Sequence, residues 1–224
     1  MSPRLTRSLL LSVLALWQVN PSSPRAGSFG NQNAEQPSVF QKTDRANAVG
    51  PPYKFSFAVQ GCGYSINEKG KGSRSCASTK RSFQLPVERD SYIEHIYYFG
   101  NSNALVVMYE LTDEEAGWGT VVSYDRSKLR ARWKLHIPDF NIGQSLVEGN
   151  FAYVTGVGFI AKLDMRKGRF VWQQKGLYQR KISLESFKLP QVEGNTVVFT
   201  SEDAHGNSRV IRVNKLSGRI IEHH

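Results

Sequence analysis

Short apolar runs recur along the chain from Tyr53 onward, and turns rich in glycine, asparagine and aspartate separate them. The runs hold many valine, isoleucine, tyrosine and phenylalanine residues, which is typical of β-strands. They cover Phe55 to Val59, Ser82 to Val87, Ile93 to Phe99, Ala104 to Leu111, Thr120 to Tyr124, Arg132 to Ile137, Phe151 to Thr155, Phe159 to Leu163, Phe170 to Gln173, Thr196 to Thr200, Arg209 to Val213 and Arg219 to Ile221. The most helix-like segment, residues 177–187, lacks a convincing N-cap and contains β-branched and aromatic residues. The pattern predicts an all-β fold of antiparallel strands.

Three segments repeat one order of features: a strand, a glycine turn, a second strand, an aspartate turn and a third strand that ends in tryptophan. The copy from Val147 to Trp172 is the clearest. Across the copies the equivalent residues are Asp125, Asp164 and Asn214 in the turns, Gly168 and Gly218 after them, and Trp133 and Trp172 at the ends, where the third copy has Glu222. Aspartate or asparagine closes a turn by accepting backbone N–H groups, glycine permits positive φ, and tryptophan packs between neighbouring sheets.

These segments resemble the repeat of the pyrroloquinoline-quinone (PQQ)-like β-propeller family, in which a blade contains the motif A-x-D-x-x-T-G-x-x-x-W. The resemblance covers roughly residues 104–221, and Ala161 to Trp172 match best. The first copy departs from the motif, since Lys128 and Leu129 replace the glycine, and Ser127 and Ser217 stand near the threonine of the motif. The resemblance implies propeller blades but no cofactor: the family's quinone and calcium ligands and its adjacent-cysteine disulfide have no counterparts in this sequence.

The resemblance divides residues 53–224 into a small or partial β-propeller of three to four blades. We expect a degenerate or capping blade at 53–99, followed by repeats at 100–146, 147–190 and 191–224. Propellers usually need about four to eight blades to close. Two alternatives follow for so few repeats: a small closed ring, or an open partial propeller whose edges are capped or covered by self-association.

The N-terminus has the features of an export signal. Arg4 and Arg7 precede the apolar run from Leu9 to Leu16, and this run is too short to span a membrane. We predict a signal peptide at residues 1–28, cleaved near Ala26 and Ser28, and a disordered leader at 29–52. The predicted location is secreted or periplasmic, with no transmembrane anchor after cleavage.

Cys62 and Cys76 are the only two cysteines of the chain. We expect them to form a disulfide in an oxidising compartment, because no C-x-x-C pair or nearby histidine favours a metal site. The segment that they enclose is rich in glycine and lysine and is predicted to be a flexible basic loop. In the chain-entropy model, closing a ring of this size stabilises the fold by about 3 kcal/mol.

The chain is basic, with 29 lysines and arginines against 19 acidic residues and a formal net charge of +10. Such a balance favours anionic partners without specifying a site. The candidate binding residues lie in and after the loop closed by the cysteines: Lys69, Lys71, Arg74, Lys80 and Arg81. We do not expect nucleic acid as the partner, because the protein is exported and has no aromatic RNA-binding motif.

The usual catalytic signatures are missing: there is no G-x-S-x-G elbow, no H-E-x-x-H and no phosphate-binding loop. We therefore predict no catalytic residues, no metal site and no cofactor, and favour a non-catalytic interaction module that binds a protein or an anionic glycan in the cell envelope. The alternative is a secreted enzyme that acts on a saccharide. Its carboxylates would be Asp113, Glu114, Glu115, Asp139 and Glu148, beside an aromatic platform of Trp118 and Tyr153.

Overall fold

The computed structural model describes residues 38–45, 52–113 and 116–224. All regular elements in these residues are β-strands, which confirms the prediction of an all-β protein. The described part of the chain holds no helix long and apolar enough to cross a membrane. The predicted signal peptide at 1–28 lies outside the described residues.

The strands form four antiparallel sheets, which we call sheets I to IV in chain order. Three short strands come first: β1 (Ser38–Val39), β2 (Gln41–Lys42) and β3 (Asp44–Arg45). Sheet I contains β4 (Lys54–Val59), β5 (Cys62–Asn67), β6 (Lys71–Cys76) and β7 (Thr79–Gln84); sheet II contains β8 (Tyr92–Gly100), β9 (Ala104–Thr112), β10 (Gly117–Asp125) and β11 (Ala131–Ile137). Sheet III contains β12 (Leu146–Glu148), β13 (Phe151–Gly156), β14 (Phe159–Asp164) and β15 (Arg169–Gln174); sheet IV contains β16 (Ser186–Phe187), β17 (Gln191–Glu193), β18 (Thr196–Glu202), β19 (Ser208–Asn214) and β20 (Ile220–His223).

The sheets divide the chain at other points than the predicted repeats. Strand β8 pairs with β9, with Ile93 opposite Leu111, so it belongs to sheet II and not to the expected unit at 53–99. The predicted boundaries at 100 and 147 fall inside β8 and β12, the first strands of sheets II and III. The boundary at 191 falls after β16, the first strand of sheet IV. The boundary at 147 is the nearest to a sheet boundary, because it falls one residue into β12.

Three apolar cores join the sheets in chain order. The first lies between sheets I and II and includes Phe55 and Val107. The second lies between sheets II and III and includes Met108 and Phe159, and the third joins sheets III and IV through side chains such as Trp172. Sheets II and III are therefore covered on both faces, whereas these cores cover only one face of sheets I and IV.

This arrangement accounts for two hydrophobic patterns in the sequence. Strand β4 alternates strictly between exposed and buried residues, as expected for a sheet with one solvated face. Strand β14 is buried at all its positions and β9 at nearly all, because both faces of their sheets contact a neighbouring sheet. Continuous apolar strands thus mark the inner sheets of the stack, and alternating strands mark the outer ones.

Part of the predicted disordered leader is ordered structure. In residues 38–45, which we call the strap, β1 pairs with β12 of sheet III, β2 with β8 of sheet II and β3 with β4 of sheet I. Phe40, between two of these strands, is fully buried in the core between sheets II and III. The strap is ordered because it fills sheet edges with backbone hydrogen bonds and buries this ring, which the polar composition of the segment did not suggest.

The predicted disulfide between Cys62 and Cys76 is confirmed. The segment that it closes is not a flexible loop, however, because β5 and β6 form a hairpin in which the two cysteines are directly opposed. The glycines and serines of these strands have low β-propensity. Pairing with β4 and β7 on either side, and burial of Tyr64 and Ile66, outweigh that preference.

Candidate functional site

The predicted repeat turns share one hydrogen-bonding pattern. Asp164 accepts backbone N–H groups of Arg166 and Lys167 at 3.0 Å each, and Asp125 and Asn214 accept the N–H groups of the two equivalent residues in their own turns. These side chains are engaged within their own turns. Asp125, Asp164 and Asn214 therefore act as turn-closing residues.

Each repeat tryptophan packs under the turn of the next sheet. The Trp133 indole donates to the Met165 carbonyl at 3.0 Å, and the Trp172 indole donates to the Lys215 carbonyl at 3.1 Å. Gly168 and Gly218 lie against these rings at positive φ. In the first turn Leu129 holds the equivalent conformation at φ 54°, so the missing glycine of the motif did not change the turn.

The five candidate basic residues do not form one surface. Lys71 and Lys80 lie on the outer face of sheet I. Arg74 and Arg81 point the other way and donate to the carbonyls of Arg126 and Ser127 beside sheet II, while Lys69 donates to the Ser91 carbonyl at 3.0 Å. Alternate residues of a strand face opposite sides of its sheet, which a loop interpretation could not take into account.

The outer face of sheet I instead presents a flat surface built from three rows of residues. The cross-strand pairing places in register Lys54, Asn67, Lys71 and Gln84 in one row, Ser56, Ser65, Ser73 and Ser82 in the next, and Ala58, Gly63, Ser75 and Lys80 in the third. We call this surface the serine-lysine face. Neighbouring residues in a row are about 4.8 Å apart, because that is the spacing of paired strands.

The chemistry of the serine-lysine face is uniform. Its side chains are small hydroxyls, amides and three ammonium groups, with no carboxylate and no large apolar group among these twelve residues. At the edge of the sheet, β3 adds Asp44 in register with Ser56. Two shallow depressions of about 560 and 430 Å³ lie on the face, both bordered by Ser65 and Ser73. The serine-lysine face is therefore positively charged and open to solvent, and its hydrogen-bonding groups are arranged along the rows.

The residues predicted for the enzyme alternative are not brought together. Tyr153 is fully buried in the core between sheets III and IV, and Trp118 packs against the core between sheets I and II, so they form no joint platform. Asp113 accepts the Ala116 backbone N–H in its own turn, and Glu114 and Glu115 lie outside the described residues.

The two remaining carboxylates of the enzyme alternative are Glu148, which has structural hydrogen-bond partners, and Asp139, which is partly buried. For Glu148, burial raises the pKa, but hydrogen bonds from Lys215 and Tyr153 outweigh it and lower the pKa overall. For Asp139, burial raises the pKa and the nearby Lys175 opposes the effect. Glu148 thus joins sheets III and IV through Lys215, and Asp139 lies in the connection between sheets II and III.

The structure contains one buried carboxylate that the sequence did not single out. Glu110 of β9 is only 6% exposed and accepts the Asn141 backbone N–H at 3.0 Å. Burial raises its pKa, and hydrogen bonds from Asn141 and Ile142 oppose this rise. A lone acidic residue within an apolar strand is the signal that could have revealed it. No cluster of three or more potential metal ligands occurs in the described parts of the chain.

Comparison with known proteins gives little support to any family. No family model and no curated protein matches the chain. Among solved structures, apo AztD from Citrobacter koseri is similar with a TM-score of 0.35 and 11% sequence identity, over 79% of this chain and 60% of that one. This chain thus spans 60% of the length of that structure, and a TM-score of this size carries no argument about fold or function.

Proposed function

We propose that this protein is an exported, non-catalytic binding module and that its serine-lysine face binds an anionic polysaccharide. The single observation that carries the proposal is the serine-lysine face itself, in which hydroxyl rows are flanked by Lys54, Lys71 and Lys80. The disulfide between Cys62 and Cys76 fits an oxidising compartment such as the periplasm or the extracellular space.

We also propose that sheets I to IV are blades of a partial β-propeller with PQQ-like repeats. Four consecutive meanders of comparable length, joined in order by apolar cores, support this interpretation. The strap pairs with the first strand of sheets I, II and III. These first strands would face the axis of a propeller. The strap would then occupy the place where a closed ring holds an axial ligand. We therefore assign ligand binding to an outer face, the serine-lysine face.

The composition of the serine-lysine face favours a polysaccharide over a protein. Protein interfaces owe most of their binding energy to buried aromatic and arginine side chains, and the rows hold none. A sugar polymer with one carboxylate per repeat presents hydroxyls and negative charges at regular intervals along a line. The rows offer matching donors and acceptors at about 4.8 Å intervals, and the ammonium groups supply long-range attraction.

The proposal is tested by titrating the protein with polygalacturonate and with uncharged dextran in a calorimeter at several salt concentrations. We expect polygalacturonate alone to bind, with an affinity that falls as salt rises. The triple variant K54Q/K71Q/K80Q should lose affinity at least tenfold. Its matched control is K128Q/K134Q/K167Q, which removes the same charge from exposed lysines elsewhere and should bind like the parent protein.

A second variant separates shape from charge. Replacing Ser65 and Ser73 by leucine keeps every lysine but raises two bulky side chains in the middle of the hydroxyl row, and it should abolish binding. An equal loss of affinity in the two lysine triples would show non-specific attraction and contradict the proposal. Binding of the polymer by the leucine variant at the parent affinity would place the site elsewhere.

A further inference from the structure

Arg126 contacts the disulfide, and Arg74 lies two residues before Cys76 in β6. An Arg126 guanidinium nitrogen is 3.8 Å from the Cys62 sulfur, and the same guanidinium donates to Gln60 and to the Asn101 carbonyl. Arg74 is buried and donates to the Arg126 carbonyl. Neither arginine takes part in an ion pair among the described residues. The Arg126 guanidinium thus lies next to a sulfur atom with no ion-pair partner among the described residues.

The two sulfur atoms of the disulfide are in different surroundings. Cys62 is 8% exposed, packs in the core between sheets I and II and contacts Arg126. Cys76 is partly exposed and ends β6 at the exposed turn of Ala77 and Ser78. An incoming thiol can therefore approach Cys76 from solvent, while the sulfur that must leave lies next to a guanidinium.

We propose that the disulfide between Cys62 and Cys76 is a thiol-exchange site that reacts at Cys76, with Cys62 as the leaving thiolate. In the first step an external thiolate attacks Cys76 Sγ, the Cys62–Cys76 bond breaks, and its electron pair goes to Cys62 Sγ. A second external thiol, as thiolate, attacks the mixed disulfide, releases Cys76 as thiolate and forms the external disulfide. Two thiols are oxidised and one disulfide is reduced, so the co-reactant is a small monothiol or the dithiol of an oxidoreductase.

The guanidinium of Arg126 determines the direction of attack. A leaving thiolate departs faster when a neighbouring positive charge stabilises it, and cysteines beside arginine are more readily ionised. Gln60 and Asn101 hold the guanidinium in place, so its position does not depend on the disulfide being intact. Attack at Cys62 would meet the opposite conditions, because that sulfur is buried and no hydrogen bond joins a cation to Cys76 Sγ within the described parts of the chain.

The consequence for the molecule is local. The residues between the cysteines include six members of the serine-lysine face: Gly63, Ser65, Asn67, Lys71, Ser73 and Ser75. Opening the disulfide removes the covalent link between β5 and β6 but leaves their backbone pairing. Exchange at this site would thus loosen one surface of sheet I without touching the cores between the other sheets.

The test is carried out on the folded oxidised protein well below its melting temperature, with glutathione as the probe. Samples are quenched with N-ethylmaleimide and the modified cysteine is located by peptide mass spectrometry. We expect glutathione on Cys76 in at least about a tenfold excess over Cys62, and a rate proportional to the glutathione concentration. The variant R126Q should react about 3- to 10-fold more slowly, R126K should fall between, and the matched control R81Q should react like the parent protein.

Each alternative result overturns the proposal. Glutathione found mainly on Cys62 would reverse the assigned roles, and equal rates for the parent and R126Q would remove the role of the guanidinium. A rate that does not depend on glutathione concentration would mean that the disulfide reacts only after the protein opens.

In guanidinium chloride the parent and R126Q should react at the same rate. A difference that persists there would show that the folded arrangement is not its cause.

Discussion

Gly168 and Gly218 stand at points where a side chain has no room. At Gly168 an added Cβ would lie 2.2 Å from the Trp133 ring, and at Gly218 it would lie 2.5 Å from the Trp172 ring. Each glycine also has positive φ, which L-residues adopt at a cost. The repeated glycine of the motif therefore serves two purposes: it closes the turn and it allows the tryptophan of the preceding sheet to pack directly against the backbone.

The variant G168A should lower the free energy of unfolding by about 3 kcal/mol. This is the sum of the free-energy cost of a left-handed alanine and the cost of its steric clash with the Trp133 indole. The matched control is G149A, which has positive φ as well but no atom within 4 Å of the added Cβ. It should cost only about 1 kcal/mol. Urea unfolding of the three proteins gives the comparison. Equal losses in the two variants would mean that the contact with Trp133 contributes nothing.

Glu110 should make stability depend on pH in an unusual direction for a carboxylate. Its pKa in the folded protein is raised above the ordinary value of 4.5, so the folded state binds the proton more tightly than the unfolded state. Stability relative to the variant E110Q should be highest below pH 4.5 and should fall as pH rises through the raised pKa. Urea unfolding of both proteins from pH 4 upward measures this difference. A parent protein that gains stability relative to E110Q over this range would contradict the sign.

At the scale of the element, the strap is a segment of very short strands that contributes more than its length suggests. Its strands follow one another every three residues and each pairs with a different sheet. Phe40 points into the core between sheets II and III, where Val106 and Val147 also lie. The strap therefore ties three sheets together through backbone bonds and one buried ring.

The variant F40A should destabilise the protein by about 3 to 5 kcal/mol, because it removes a fully buried aromatic side chain. The control K42A alters an exposed residue in the same strap and should change stability by less than about 0.5 kcal/mol. Thermal and urea unfolding compare both with the parent protein. A small loss in F40A would show that the strap is not coupled to the main fold.

At the scale of the whole molecule, the stack ends in polar faces. Sheet III presents Tyr153, Ile160 and Trp172 to sheet IV. On sheet IV the residue equivalent to Trp172 is Glu222, and it pairs with Arg212, which also pairs with Glu193. The serine-lysine face ends the stack on the other side. Polar outer faces are typical of terminal repeats in stacked architectures, and here they place charged side chains at both ends of the stack.

Much of this organisation could be predicted from the sequence. The apolar runs located most strands of sheets II to IV, and the equivalence of Asp125, Asp164 and Asn214 located their turns, because both signals are local in the chain. The strands β5 and β6 were missed, since their serines and glycines carry little β-propensity. The strap was missed as well, since two-residue strands leave no periodic pattern.

The sequence by itself determined the fold class, the repeat turns and the disulfide, because each depends on residue type and on spacing over a few positions. Only the tertiary structure decided that Ser56, Ser65, Ser73 and Ser82 form one row, because the register of four strands places them there. It also decided that Arg126 lies beside the disulfide, because sheets I and II must pack before residues 64 positions apart can meet. The candidate binding surface and the candidate exchange site both arise from pairing and packing over long distances in the chain, which composition and spacing do not encode.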